Sequence, residues 1–295
     1  MKIAVQLFGH LRTFRETAKF FHQNVVDANL SLGCDVDVFI HTWNEIDHDD
    51  FTHWNNPKGE KRSRNLDEFD IELVHELYKP KKILFEEQYS LSEEEREISL
   101  RSGIKDKRTK NITISFVGAN KLRESYEKET ECCYDLVVVT RPDILFVEKL
   151  NFEYLFRDFT SDQLSQTVFY TDIPMLDHKH CTTNHSQFVC GSDLLLIGGS
   201  KAISSICEEW MRKELYLKQP APEKILAQLI HSLGIRLNLI QYPKHYCWNI
   251  QRRTGKYTKY TSHFCNTLVR ILFFLIKPVL NSSTFFKKMT YRDIN

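Results

Sequence analysis

The chain has 295 residues, with 40 lysines and arginines against 39 aspartates and glutamates. A formal net charge of +1 excludes a global electrostatic footprint for nucleic acid. Only 10 glycines and 8 prolines exclude long low-complexity linkers, while 42% hydrophobic and 27% charged residues are the composition of a soluble globular protein, with length enough for one large α/β domain and a small appendage.

The opening "KIAVQLF" (2–8) reads as a strand and carries no charged-then-apolar leader, so a cytoplasmic location with reduced thiols is expected. The eight cysteines contain no C-x-x-C pair and read as small buried hydrophobes. A helix is predicted over Arg15–Leu30. "CDVDVFIHTW" (34–43) is the second predicted strand, with Val36, Val38 and Ile40 on one face and Asp37, Phe39 and His41 on the other. Residues 44–64 have no clean period and read as a loop. "FDIELVHELYKP" (69–80) predicts a helix stopped by Pro80, and "KKILFEEQ" (81–88) a short strand. The charge-rich stretch 90–112 reads as a loop or exposed helix. Residues 114–130 have helical spacing, with Phe116, Leu122 and Tyr126 inward.

"YDLVVVTRPD" (134–143) has the near-continuous apolar run of a strand buried on both faces. "TVFYTD" (167–172) and "DLLLIGG" (193–199) follow as strands. Helices are predicted over 201–215 and 222–234, the second with Pro222 at its first position and Gly234 as its C-cap, and a last strand over 235–242. Strands alternating with helices predict an α/β fold: a single domain over 1–262, its mostly parallel sheet flanked by helices. Residues 263–295 change character. Phe264, Leu268, Ile271, Phe273, Phe274 and Leu275 are interleaved with Arg270, Lys277, Lys287, Lys288 and Arg292. The run is too charged to span a bilayer, and reads as an amphipathic basic tail for an anionic membrane surface.

In open parallel sheets ligands bind beyond the carboxyl ends of the strands. The first strand ends in "GHLRT" (Gly9, His10, Arg12, Thr13), the second in "HTWNE" (His41, Thr42, Asn44, Glu45), and the buried strand in "RPD" (Arg141, Asp143). Three polar ends on one sheet edge predict a ligand site. Gly9 permits close backbone approach, and Arg12 suits a bidentate phosphate contact. The absence of G-x-G-x-x-G and G-x-x-x-x-G-K-[ST] argues against a dinucleotide dehydrogenase and a P-loop enzyme. Asp143 is the key acid, able to hold a divalent cation or a sugar hydroxyl, with Arg141 keeping it ionised. In "DHKHCTTNHSQFVC" (177–190), His178, His180, Cys181, His185 and Cys190 lack any standard zinc spacing, and the segment reads as a polar loop bordering the acceptor pocket.

Taken in order, "GHLRT", "DVFIHTW", "YEKETECCYDLVVVTRPD", "GSDLLLIGG" and "PEKILAQLIHSLGI" resemble the bacterial glycosyltransferases of surface-polysaccharide synthesis, capsule and lipopolysaccharide, over roughly residues 1–245. The resemblance implies the nucleotide-sugar fold called GT-A, a nucleotide-sugar donor and a glycan or lipid-linked acceptor. It implies donor contacts at Gly9, His10, Arg12, Thr13, His41, Thr42, Arg141 and Asp143, and a location on the inner face of the cytoplasmic membrane. "RPD" occupies the place of the family's D-x-D motif, which binds magnesium or manganese and the sugar diphosphate. Arg141 replaces the first acid, so either Asp143 holds the cation with phosphate oxygens and water, or Arg141 itself neutralises the diphosphate. Glu223, opening the helix after "QPAP", stands where a base commonly sits in similar proteins, and Asp193 is the second candidate carboxylate, for donor sugar or acceptor. Two alternatives stand beside this expectation: a transferase of another phosphate-containing group, and a non-catalytic membrane-docked polysaccharide assembly protein.

Overall fold

The computed structural model describes residues 1–47, 63–101, 108–171, 193–217, 222–240 and 247–250. In chain order the first half contains β1 (Lys2–Phe8), α1 (Phe14–Phe21), a π-helical turn (His22–Val26), α2 (Asp27–Leu30), β2 (Asp35–Trp43), α3 (Glu68–Tyr78), β3 (Lys82–Glu86), α4 (Glu93–Arg101), α5 (Arg108–Thr130) and β4 (Leu136–Thr140). Then come β5 (Ile144–Phe146), α6 (Phe152–Phe156), α7 (Ser161–Ser165), β6 (Thr167–Tyr170), β7 (Leu195–Gly199), α8 (Ser200–Arg212), a 3-10 turn (Leu215–Leu217), α9 (Pro222–Ser232), β8 (Arg236–Leu239) and β9 (Trp248–Ile250).

Seven strands form one sheet in the order β3-β2-β1-β4-β7-β6-β8. Every neighbouring pair is parallel except those made by β7, which runs antiparallel to both β4 and β6. The expected α/β architecture, a mostly parallel sheet flanked by helices, is therefore observed, with one reversed strand. The strand period of two sorts β1 cleanly. Ile3, Val5 and Leu7 join one core with Phe14, Ala18, Val74 and Tyr78, whereas Ala4 and Phe8 join a second with Phe116, Ile203, Trp210 and Ile225. So α1 and α3 cover one face and α5, α8 and α9 the other. The face assignment for β2 holds too: Val38 and Ile40 pack in the first core, Phe39 in the second.

Local signals set several boundaries. Asp67 caps α3 by accepting the backbone N–H of Asp70, whose side chain answers in a capping box. Thr160 and Gln163 do the same for α7. Lys79 takes a left-handed conformation to end α3 just before Pro80. Elsewhere tertiary contacts decided. The predicted helix over 15–30 is interrupted by the π-turn, and the helix predicted from 114 begins at Arg108.

Beyond β4 the chain folds back over the α1 face, and β5 pairs antiparallel with β9 in a separate two-stranded sheet. Buried side chains of the first helical segment hold this return. Thr17 Oγ1 donates to the carbonyl of Pro142 at 2.5 Å, Asn24 Nδ2 to that of Phe146 at 2.8 Å, and Asn29 Nδ2 to that of Leu150 at 2.7 Å. Asn29 also accepts the Phe152 N–H at 2.9 Å. Neither β5 nor β9 was predicted, nor were α6 and α7. The tail at 263–295, the histidine-rich segment 177–190 and most of the loop at 44–64 lie outside the described residues. No helix among the described residues is long and apolar enough to cross a membrane.

Candidate anion-binding site at the carboxyl edge of the sheet

Four parallel strands bring their carboxyl ends together: Phe8 pairs with His41, Leu7 with Thr140, and Trp43 with Glu86. The strand order reverses between β1 and β4, β1 continuing to β2 on one flank and β4 to β6 on the other, and such a switch point is where ligands bind in open α/β sheets. Because β7 is antiparallel, its beginning reaches this same edge. Thr140 pairs with Leu195, and Thr140 Oγ1 donates to the carbonyl of Leu194 at 2.9 Å. Asp193, immediately before, is thereby brought beside the end of β4. Glu223 lies in the first turn of α9, which leads directly into β8. Since β8 is parallel to β6, α9 starts at the carboxyl edge as well, but the strand it feeds is three places from β4.

The centre of the edge is an arginine–aspartate cluster. Asp143 is fully buried. Arg141 donates Nε to its Oδ1 at 2.9 Å and Nη2 to its Oδ2 at 2.6 Å, a two-point fork. Arg12 approaches from the β1 side and donates Nη1 to Asp143 Oδ2 at 3.1 Å and Nε to Asp47 Oδ1 at 2.7 Å. The Arg12 and Arg141 side chains keep 9% and 12% exposure, so the guanidiniums lie between the buried carboxylate and the outside. A guanidinium has five N–H donors. Each of these two uses two in these bonds, and among the described residues three are left without a hydrogen bond on each.

Arg12 has φ +47, the left-handed region that non-glycine residues avoid, whereas its neighbour Gly9 occupies φ +88 without cost. The Arg12 N–H is fixed by the carbonyl of Ile46 at 2.9 Å, and the segment 44–47 is in turn paired with 63–66 through Ile46–Arg64 and Leu66–Asn44 backbone bonds. Asp70, fully buried under Arg64 and Arg15, braces that pairing against α3 and α1. Burial alone would raise the Asp70 carboxyl, but the two guanidiniums more than offset it and hold it well below the usual carboxylate range.

His41 and Thr42 lie beneath the edge, 1% and 0% exposed, not on it. His41 Nδ1 is 3.1 Å from Ser115 Oγ and Nε2 is 2.9 Å from Glu86 Oε2. Ser115 Oγ accepts the N–H of Gly9 at 2.7 Å. Burial outweighs the Glu86 carboxylate and keeps the imidazole below its ordinary pKa, favouring the neutral state. The imidazole fits against α5 because residue 118 is glycine: a Cβ there would sit 2.2 Å from His41 Cδ2. His41 thus acts through Ser115 on the turn at Gly9. His10 and Thr13 are buried in the turn itself, 7% and 2% exposed, with the His10 ring 6.4 Å from that of Trp43. Thr13 precedes α1, whose positive dipole end faces this edge.

Asp143 does not fit the metal-ligand role expected of it in this arrangement. Among the described residues both carboxylate oxygens are engaged by arginines, through Arg141 Nε on Oδ1 and Arg141 Nη2 and Arg12 Nη1 on Oδ2. A divalent ion about 4 Å from one guanidinium would meet roughly 8 kcal/mol of Coulombic repulsion at an effective dielectric of 20. Among the described residues no cluster of three or more histidines, cysteines or acids is placed to hold a metal ion.

Sequence reasoning missed Asp47, Glu86 and Ser115. Ser115 carries a readable signal, a small polar residue beside Phe116 on the inward face of a helix. Asp47 and Glu86 carry none, because their roles come from loop and strand positions set by β2 and β3. Comparison with protein-family models gives no match, and comparison with curated proteins gives none either.

Proposed function

We propose that this chain is a glycosyltransferase that binds a nucleoside-diphosphate sugar at the carboxyl edge of the sheet and transfers the sugar to an acceptor hydroxyl in capsule or lipopolysaccharide synthesis. The observation that carries the reading is the pair of guanidiniums, Arg12 and Arg141, held side by side at the switch point between β1 and β4, each with N–H groups that no described residue engages and that can donate to an anion. Sugar transfer from such a donor needs its departing diphosphate stabilised, and preorganised cationic donors supply that. The resemblance of "GHLRT", "DVFIHTW" and "VVVTRPD" to the polysaccharide glycosyltransferases, with their GT-A fold, supports the same reading.

In this reading Arg12 and Arg141 take the diphosphate, and the Gly9–Thr13 turn borders the nucleotide. His41 holds that turn from below, through Ser115. A base must deprotonate the acceptor hydroxyl if the configuration inverts. Asp193, delivered by β7 next to β4, is better placed for it than Glu223, whose helix feeds a strand three places away. Work at a lipid-linked acceptor would bring the basic tail to an anionic membrane surface.

The test is thermal shift and titration calorimetry with UDP, GDP and CMP and their common sugar conjugates. One nucleotide is expected to raise the melting temperature and its sugar conjugate to be turned over with an acceptor extract. Silence from all of them, with and without manganese, would sink the reading.

A further inference from the structure

We infer that the anion at this edge is held by Arg12 and Arg141 directly, without a divalent cation, and that Asp143 is a positioning residue for the two guanidiniums. This deepens the glycosyltransferase reading and rests on it for the identity of the ligand, a nucleoside diphosphate.

The inference comes from what Asp143 already does. A carboxylate has about four acceptor sites. Arg141 occupies one on each oxygen through its fork, and Arg12 occupies a second on Oδ2. A cation entering there finds Oδ2 filled by both guanidiniums and must sit beside Arg141 to share Oδ1. The carboxylate is fully buried, while the guanidiniums keep 9% and 12% exposure. An incoming anion therefore meets the arginines before it meets Asp143.

Two further features show that the arrangement is built. Arg12 holds φ +47, a conformation that costs free energy unless its surroundings enforce it. Its backbone is enforced by Ile46 and its side chain by Asp47 and Asp143, so the strain is retained where the guanidinium is aimed. The carbonyl of Pro142, between Arg141 and Asp143, accepts from Thr17 Oγ1 at 2.5 Å, which locks the "RPD" turn onto α1. Both guanidiniums are thus fixed before any ligand arrives, and a planar fork loses little on binding a phosphate group. Diphosphate oxygens would take the N–H groups that no described residue engages on each arginine, with Asp143 behind them.

The decisive measurement is calorimetry on the full chain with inorganic pyrophosphate and with UDP and GDP, each in EDTA and in manganese. Variants are Arg12→Lys, Arg141→Lys and Asp143→Asn. Lysine keeps the charge and loses the fork, and asparagine keeps the shape. Pyrophosphate is expected to bind equally in EDTA and manganese, and each of the three variants to weaken it tenfold or more. Retained near-ultraviolet circular dichroism separates a loss of orientation from a loss of folding. If Asp143→Asn unfolds the chain, the two lysine variants carry the decision. Binding of pyrophosphate in EDTA without binding of any nucleotide supports the guanidinium site and removes the nucleotide-sugar reading. Nucleotide binding that appears only with manganese and vanishes in Asp143→Asn overturns the inference and leaves the glycosyltransferase reading standing. No pyrophosphate or nucleotide binding in EDTA also overturns it.

Discussion

Arg141 grips the carboxylate of Asp143, two residues further along, with both Nε and Nη2, at 2.9 and 2.6 Å. The pair closes the end of β4 with a buried acid that also anchors Arg12, 131 residues away in sequence. Removing the acid leaves two guanidiniums facing each other with their common counter-charge gone. Asp143→Ala is expected to cost about 3–5 kcal/mol, the usual penalty for breaking a buried ion pair from one side. Urea unfolding measures it, and a loss below about 1 kcal/mol would show that the cluster is not structural.

Gly118 and His41 form a second tight relationship. A methyl group at residue 118 would fall 2.2 Å from His41 Cδ2. Gly118→Ala should therefore destabilise by about 1–3 kcal/mol through overpacking, although alanine is the better helix former. His41→Ala makes the space, so the double variant should be more stable than the two single losses predict. A coupling of about 1 kcal/mol or more in a double-mutant cycle confirms the contact, and additivity refutes it.

Acid sensitivity follows from the same histidine. The folded imidazole titrates below its ordinary value of 6.5 because it is buried, so in the interval between the two values the unfolded chain binds more protons. Stability contributed at neutral pH is then lost as pH falls through about 6.5 and stops falling once the folded imidazole is itself protonated. Unfolding midpoints measured from pH 8 to 5 should decline, and the decline should steepen in Glu86→Gln, which removes the carboxylate that supports the protonated form. A flat profile in the native chain would contradict the buried neutral assignment.

Asn29 organises the return over the α1 face with bonds to Val25, Leu150 and Phe152 at 2.6, 2.7 and 2.9 Å. Its replacement by alanine leaves several buried backbone groups unpaired, at a cost of about 3 kcal/mol. Asn24, with the single side-chain bond to Phe146, should cost about half of that on replacement. The order of the two melting temperatures checks this.

For sugar transfer itself, Asp193→Asn should lower turnover about 10²–10⁴-fold while leaving nucleotide affinity within a few-fold, the pattern of a lost general base. Glu223→Gln should change turnover much less. The opposite ranking would move the base to α9.

How far the sequence carried is clear from β4. Its five residues "LVVVT" are all buried, and a short, β-branched run without polar interruption reads as a strand covered on both faces, so both the element and its central place were readable. The helix at 222–232 was equally plain, from its apolar period and Pro222. By contrast "ILF" at 144–146 is too short to distinguish from a loop, and becomes β5 only because β9, about a hundred residues later, supplies its partner. The π-turn within 15–30 was equally invisible, and its Asn24 donates to the carbonyl of Phe146 on the chain returning from β4.

The candidate site divides the same way. Which polar residues follow which apolar runs is a property of the chain, and parallel pairing of those runs placed Gly9, His10, Arg12, Thr13, Arg141 and Asp143 on one edge. What each side chain does there depended on depth and orientation, which spacing does not encode. His41 turned under the sheet toward Glu86 and Ser115, and Asp143 turned inward to two arginines, because a buried polar group is stable only where its partners are. Those partners, Arg12, Glu86 and Ser115, come from segments far apart in the chain, and only the packed sheet brings them within hydrogen-bonding reach.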